Sequence, residues 1–231
     1  MNVAIIGYGK MGRLIDQLAP EYGCDVKLRL DIDNNGRFEA LTKEKLAEID
    51  VALEFSTPHA APENLERLAA LGINAVTGTT GWAEQSARVR AAVDGAGTGL
   101  VWSANYSVGV ALFSQIVAGA ARLLANQPEY DAWAWEIHHA TKKDAPSGTL
   151  LALVETMKKS GYAKAIDTSS SRAGAQPGTH EIGFDSPSDT ITIRHTARSR
   201  EGFARGALRA ARWIVGKKGF YDFREIVSEL K

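Results

Sequence analysis

The chain has 231 residues, 45% of them apolar, with 27 basic side chains set against 27 acidic ones. That apolar content suffices for one large or two modest folded domains and excludes a disordered chain. The even charge balance provides no global field for nucleic acid or an anionic membrane surface, so any anionic ligand must be met by local groups.

In chain order, Met1-Asn2-Val3-Ala4-Ile5-Ile6-Gly7 runs straight into a strand over residues 3–6. It lacks the basic flank and apolar core of a secretory leader, and no later run approaches about 18 apolar residues. A helix is expected over 11–20 and strands over 26–30 and 51–55. Then come a helix over 62–71, a strand over 73–77, a helix over 84–93 and a strand over 100–102. Strands alternating with helices predict βαβ units and a doubly wound parallel sheet. The single cysteine, Cys24, reads as a small half-buried hydrophobe and excludes a disulfide framework. The setting expected is soluble, reducing and cytoplasmic.

After Asn105 the pattern changes. Residues 108–124 read as one buried helix, 133–138 as a strand and 147–159 as a helix, followed by a Ser-, Gly- and Pro-containing stretch over 168–178 expected to be a loop, mobile at 168–171. Residues 180–184 and 190–196 alternate at period two, as half-exposed antiparallel strands do. A last helix over 203–215, ended by Gly216 and Gly219, should pack back on the first domain. The expected organisation is a dinucleotide-binding domain over 1–106 and 201–231, and a smaller α+β domain for substrate binding and oligomerisation over 107–200.

Gly7-Tyr8-Gly9-Lys10-Met11-Gly12 is G-x-G-x-x-G between the first strand and the first helix. There Gly7 permits the tight turn, Gly9 lets backbone approach a pyrophosphate, and Gly12 lets helix and strand pack closely, with the helix N-terminus toward the phosphates. A Rossmann-like site also needs a carboxylate about 20 residues on for the adenosine ribose. Asp31 fits, with Asp33 as its neighbouring candidate. A carboxylate there repels a 2′-phosphate and favours NADH, while Lys10 and Arg13 offset that repulsion, so NADH and NADPH both stay open with the balance toward NADH. Gly78-Thr79-Thr80-Gly81 and Ser103-Ala104-Asn105-Tyr106 follow two later strands. They could carry the nicotinamide ribose and amide through Gly78, Thr79, Thr80, Ser103, Ala104, Asn105 and Tyr106, or be plain strand-ending turns.

The densest chemistry lies in Glu136-Ile137-His138-His139-Ala140-Thr141-Lys142-Lys143-Asp144-Ala145-Pro146-Ser147-Gly148-Thr149. Asp144 could cap a helix and Pro146 suits its first turn. Ser147, Gly148 and Thr149 present N–H groups and hydroxyls of the kind that bind a carboxylate or phosphate. Two histidines and two lysines beside such a cradle suit proton transfer to a dicarboxylate. Adjacent His138 and His139 on a strand point to opposite faces and lack a third ligand at metal spacing, so no metal is expected.

This segment resembles the dihydrodipicolinate reductase signature E-x-H-H-x-x-K-x-D-A-P-S-G-T at each fixed position. The likeness extends through the glycine fingerprint, Glu54-Phe55-Ser56-Thr57-Pro58, Gly78-Thr79-Thr80-Gly81, Ala104 to Val110, and Ser199-Arg200 with Phe203-Ala204-Arg205-Gly206-Ala207. The resemblance implies hydride transfer from NADH or NADPH to a cyclic dicarboxylate on the diaminopimelate route to lysine. It assigns acid/base work to His138, proton donation to Lys142, and a substrate carboxylate to His139, Gly148 and Thr149, with Ser147 beside them. Arg200 would add a second positive charge, segments near Asn105 and Arg200 would act as hinges, and a homotetramer would form through the second domain. Ala140 and Thr141 depart from the larger or basic residues many members carry, which lowers the local charge. A related imine or amino-acid reductase is the alternative, and a nucleotide sensor a more distant one.

Overall fold

Val3, Ala4 and Ile5 are fully buried and Ile6 is 2% exposed, as an interior strand of a covered parallel sheet requires. The computed structural model describes residues 1–230, which fold as two compact units: 1–108 with 201–230, and 109–200.

In the first unit, β1 (Asn2–Ile6) is followed by α1 (Lys10–Leu18), β2 (Asp25–Leu30), a short α2 (Ile32–Asn35) and β3 (Val51–Glu54). Next come α3 (Ala61–Ala70), β4 (Asn74–Thr77), α4 (Ser86–Ala96) and β5 (Gly99–Trp102). The strands pair in parallel in the order β2, β1, β3, β4, β5. Period-two alternation sends Ala4, Ile6, Ala52, Ala75 and Leu100 into one cluster with Leu65, Leu68, Val89 and Val93 of α3 and α4. The opposite face takes α1 and the last long helix, Glu201–Ile214, which contacts β3, β4, β5 and α1. That helix therefore packs as its apolar stripe requires.

In the second unit, α5 (Val108–Leu124) precedes β6 (Asp131–His138), α6 (Gly148–Lys159), β7 (Ile166–Arg172), β8 (Thr179–Asp185) and β9 (Thr190–Thr196). The sheet order is β7, β6, β8, β9, parallel between β6 and β7 and antiparallel elsewhere. Phe113 and Val117 of α5 and Leu150, Leu153 and Met157 of α6 share a core with Ala132, Ala134, Ile182 and Phe184 of the sheet. The other face carries Trp133 and Trp135, both half-buried.

Three expectations of the fold need correction, and two short helices were not foreseen. The supposed mobile loop at 168–171 is part of β7, an edge strand exposed over 167–169 and half-buried elsewhere; with no apolar face to bury it shows no alternation, and its pairing is imposed by the β6–α6–β7 crossover. The helix expected to be wholly buried over 108–124 buries one stripe only, and Leu112, Ile116 and Leu123 of α5 are exposed. Gly219 does not end the last long helix, α7 (Glu201–Ile214), but opens β10 (Gly219–Asp222), which pairs with β5 as a sixth strand of the first sheet. Finally, α2 and a terminal α8 (Phe223–Ile226) are too short to leave a periodic signal.

Candidate active site

The glycine loop sits where the chain turns back across the first sheet, with β2 on one side of β1 and β3 on the other. Gly7 has φ of 91°, its N–H donates to the Leu30 carbonyl at 2.8 Å, and a Cβ there would lie 2.3 Å from the Phe55 carbonyl oxygen. Only glycine fits this meeting of three strand ends. Around Gly9, by contrast, an added Cβ would meet nothing within 4 Å, and no side chain caps α1. The first N–H groups of α1 thus face open space, as a pyrophosphate site requires. Gly12 is buried, and a Cβ there would strike the Gly7 carbonyl oxygen at 2.2 Å.

The neighbouring charges are already arranged. Tyr8 donates its hydroxyl to Asp16, and Arg29 grips both Asp16 oxygens at 2.7 Å. Arg29 holds the Asp16 carboxyl below its ordinary range, against the upward push of burial. Lys10 is exposed, and Met11 lies half-buried in the first turn of α1. Asp31 lies at the end of β2 and caps α2: its carboxylate accepts the Ile32 N–H at 2.9 Å, while Asn34 Oδ1 accepts the Asp31 N–H at 2.7 Å. Asp33 lies in the first turn of α2.

At the ends of β4 and β5, Thr79, Thr80, Trp82, Trp102 and Ala104 line a cavity of about 470 Å³. Thr79 Oγ1 is buried there with no hydrogen-bond partner among the described residues, which suits the polar edge of a ligand. Gly78 is required because a Cβ would enter the Phe55 ring at 2.1 Å. Ser103 and Asn105 close a local turn, with Ser103 Oγ donating to the Asn105 carbonyl at 2.8 Å and Asn105 Oδ1 accepting the Ser107 N–H at 2.9 Å. Tyr106 is different. Its ring is buried and its hydroxyl lies 2.8 Å from the Thr77 carbonyl and 2.9 Å from that of Val101, so the side chain serves the sheet and only its backbone can face a ligand.

In the second unit, the inner face of β6 changes within one strand from Ala132 and Ala134 to Glu136 and His138, all buried. Glu136 is completely inaccessible. It receives Arg172 at 2.9 and 2.8 Å, the Ser147 N–H at 3.2 Å and His138 Nδ1. Burial pushes the Glu136 carboxyl up, but the hydrogen bonds from Arg172 and His138 outweigh it and hold the pKa at about 2. A permanent carboxylate accepts only, so His138 carries its proton on Nδ1 and presents Nε2 beside Gly178; a Cβ at that glycine would lie 2.7 Å from the ring nitrogen.

His180 lies opposite Glu136 on β8, and His195 opposite His180 on β9. Burial, then the His138 charge, drive the His180 pKa down to about 4. Its Nε2 is 3.1 Å from Ser147 Oγ, which also accepts the Leu150 N–H at 3.2 Å as the cap of α6. Gly148 and Thr149 then open the helix. Lys142 Nζ meets both Asp144 oxygens at 2.6 and 2.8 Å. That ammonium holds the Asp144 carboxyl below its usual range, and the N–H groups of Asp144 and Gly148 add to the pull. His139 Nδ1 is 2.8 Å from Thr141 Oγ1.

The structure thus gathers His138, Lys142, Ser147, Gly148 and Thr149 around the start of α6, with His139 on the adjoining turn. Sequence reasoning missed Arg172 and His180. The i, i+2 pair Glu136 and His138 was a signal for one shared face; Arg172 had none, because β7 was not expected to be a strand.

Fold and site define a two-unit α/β oxidoreductase with a Rossmann-type dinucleotide site. The family description "Dihydrodipicolinate reductase, N-terminus" matches residues 1–106, and "Dihydrodipicolinate reductase, C-terminus" matches residues 109–227. The chain is 32% identical to the 4-hydroxy-tetrahydrodipicolinate reductase of Christiangramia forsetii, over 100% of this chain and 99% of the relative. It is 35% identical to that of Archaeoglobus fulgidus, over 99% and 100%. A dipicolinate-bound dihydrodipicolinate reductase from Paenisporosarcina sp. TG-14 shares the fold, with a TM-score of 0.83 at 22% identity over 98% of this chain and 99% of that one. The chain belongs to the dihydrodipicolinate reductase family. It is an NAD(P)H-dependent reductase acting on a small-molecule substrate.

Proposed function

We propose that the cluster at the start of α6 is the reducing centre for 4-hydroxy-tetrahydrodipicolinate, with His138 as acid/base, Lys142 as proton donor, and His139, Ser147, Gly148 and Thr149 holding a substrate carboxylate. The observation that carries this reading is the buried Glu136, which fixes His138 and the Ser147 N–H together.

The glycine loop, Asp31 and the segments 78–80 and 103–106 would hold the dinucleotide, whose reduced nicotinamide supplies the hydride when bound. The chain supplies the rest. The substrate's 4-hydroxyl leaves with a hydrogen of the neighbouring ring carbon as water, and the Lys142 ammonium and the α6 N-terminus neutralise the dicarboxylate, which keeps the resulting conjugated ring electron-poor for hydride addition. Lys142 then delivers the proton to the adjacent carbon, and His138, oriented by Glu136, exchanges protons through Nε2. NADH is favoured by the Asp31 carboxylate at the end of β2. A homotetramer built on the second unit and a cytoplasmic location complete the reading, supported by family membership; among the described residues no helix is long and apolar enough to cross a membrane.

The test is an absorbance assay of nicotinamide oxidation with the freshly made product of the preceding synthase, comparing NADH with NADPH, for the native protein and Lys142→Ala. Turnover should fall by about 10² to 10⁴ in the variant with cofactor affinity nearly unchanged. A loss confined to cofactor binding would remove Lys142 from the chemistry. Absence of oxidation with either cofactor, despite cofactor binding, would favour a different imine substrate.

A further inference from the structure

We infer that Asp144 is an internal competitor for the substrate carboxylate: it occupies Lys142 until a ligand displaces it, and so sets the affinity a carboxylate must exceed to bind. The inference rests on the reading of the α6 cluster as the dicarboxylate site.

Both Asp144 oxygens lie on Lys142 Nζ, at 2.6 and 2.8 Å. This is the two-oxygen arrangement a substrate carboxylate would adopt on the same ammonium. The ammonium meant for the ligand is therefore already held by a carboxylate of the chain.

The two partners are held unequally. The Lys142 side chain is 22% exposed and that of Asp144 57% exposed, so the ammonium is sheltered while the carboxylate lies outward. The backbone of Asp144 is fixed independently, since Arg172 Nη2 donates to its carbonyl oxygen. The side chain can swing into water without disturbing the turn or the Ser147 cap. An exposed ion pair of this kind is weak and readily exchanged.

An internal competitor divides the affinity of every ligand that needs the vacated ammonium by the same factor. A dicarboxylate, with a second anchor, stays bound after that reduction. A carboxylate that depends on Lys142 alone does not, and common monocarboxylates are kept out of a site whose cations would otherwise collect them.

The experiment is calorimetric titration of the full chain, with saturating oxidised cofactor, using dipicolinate and the monocarboxylate picolinate on native protein and Asp144→Asn. The variant should bind both ligands more tightly by the same factor, about 2- to 5-fold. In steady-state assays KM should fall by a similar factor with kcat undiminished. A gain clearly larger for the dianion would mean simple charge repulsion and overturn the inference. So would unchanged or weaker binding, or a fall in kcat, since Asp144 would then be a permanent anchor for Lys142. If the native protein neither binds dipicolinate nor oxidises reduced cofactor with the synthase product, the site reading itself falls and the inference with it.

Discussion

At the scale of single residues, the second unit concentrates ionisable groups where a core would ordinarily be apolar. Glu136, His138 and His180 are buried together, and Arg172 closes the pair with Glu136. Such a cluster is costly to desolvate and more costly to break, because removing one partner leaves an unpaired buried charge. Its pH dependence follows from the shifts. His180 titrates at about 4 when folded against an ordinary 6.5, so the folded state binds its proton less readily than the unfolded chain. Its contribution is full above about pH 6.5 and lost as pH falls toward 4. Glu136, held at about 2 against 4.5, contributes fully above about pH 4.5 and loses that as pH falls through 2. Urea midpoints measured between pH 7 and 4 should therefore decline, with a loss of about 3 kcal/mol traceable to His180. In His180→Asn that part of the decline should flatten; an unchanged profile would mean that His180 is protonated within the fold.

At the scale of elements, close approach is made possible by missing side chains. In α7, Gly206 is buried, and a Cβ there would sit 1.8 Å from the Tyr106 carbonyl oxygen, against backbone that cannot turn aside. The helix reaches the segment leaving β5 only because this position is glycine. Gly206→Ala should therefore lower stability by about 1–3 kcal/mol despite the better helix propensity of alanine, which thermal unfolding would read as a lower Tm. A rise in Tm would show that α7 is free to shift. The same logic governs β8, where a Cβ at Gly183 would enter the Trp133 indole at 2.1 Å, so that indole occupies the space a side chain would take.

At the scale of the whole molecule, the chain returns late to a domain begun early: α7 and β10, from residue 201 onward, complete the first unit around the intervening 109–200. Among the described residues of the second unit, no helix covers the sheet face bearing Trp133 and Trp135, since α5 and α6 pack on the other face, and Arg194 stacks over the Trp135 ring at 5.7 Å. Half-buried indoles on an open sheet face suit association between copies, in line with the proposed homotetramer. Sedimentation velocity should show a species near four chain masses, and Trp135→Glu should shift it to smaller ones. A native protein that sediments as a monomer at micromolar concentration would end that proposal.

The sequence alone determined what depends on local geometry or on strong periodicity. The fingerprint was readable because neighbouring backbone presses on Gly7 and Gly12 and admits only glycine there, while Gly9 leaves the start of α1 open. The start of α6 was readable from its run of small and hydroxyl residues, although the cap is Ser147 rather than Asp144 and Pro146 precedes the cap instead of entering the first turn, and Glu136 and His138 share a face by the period of a strand. The tertiary structure decided what depends on pairing between distant segments. Arg172 reaches Glu136 because β7 lies parallel to β6, yet β7 is an edge strand whose polar residues bear no periodic mark. His180 joins the cluster through antiparallel register, and Tyr106 turns its hydroxyl to the sheet rather than to a ligand because β4 and β5 offer it two carbonyls. Short β10 is a strand only because β5 presents an open edge. Local sequence specifies turns, caps and faces, whereas neighbours brought together from far along the chain decide which charges meet.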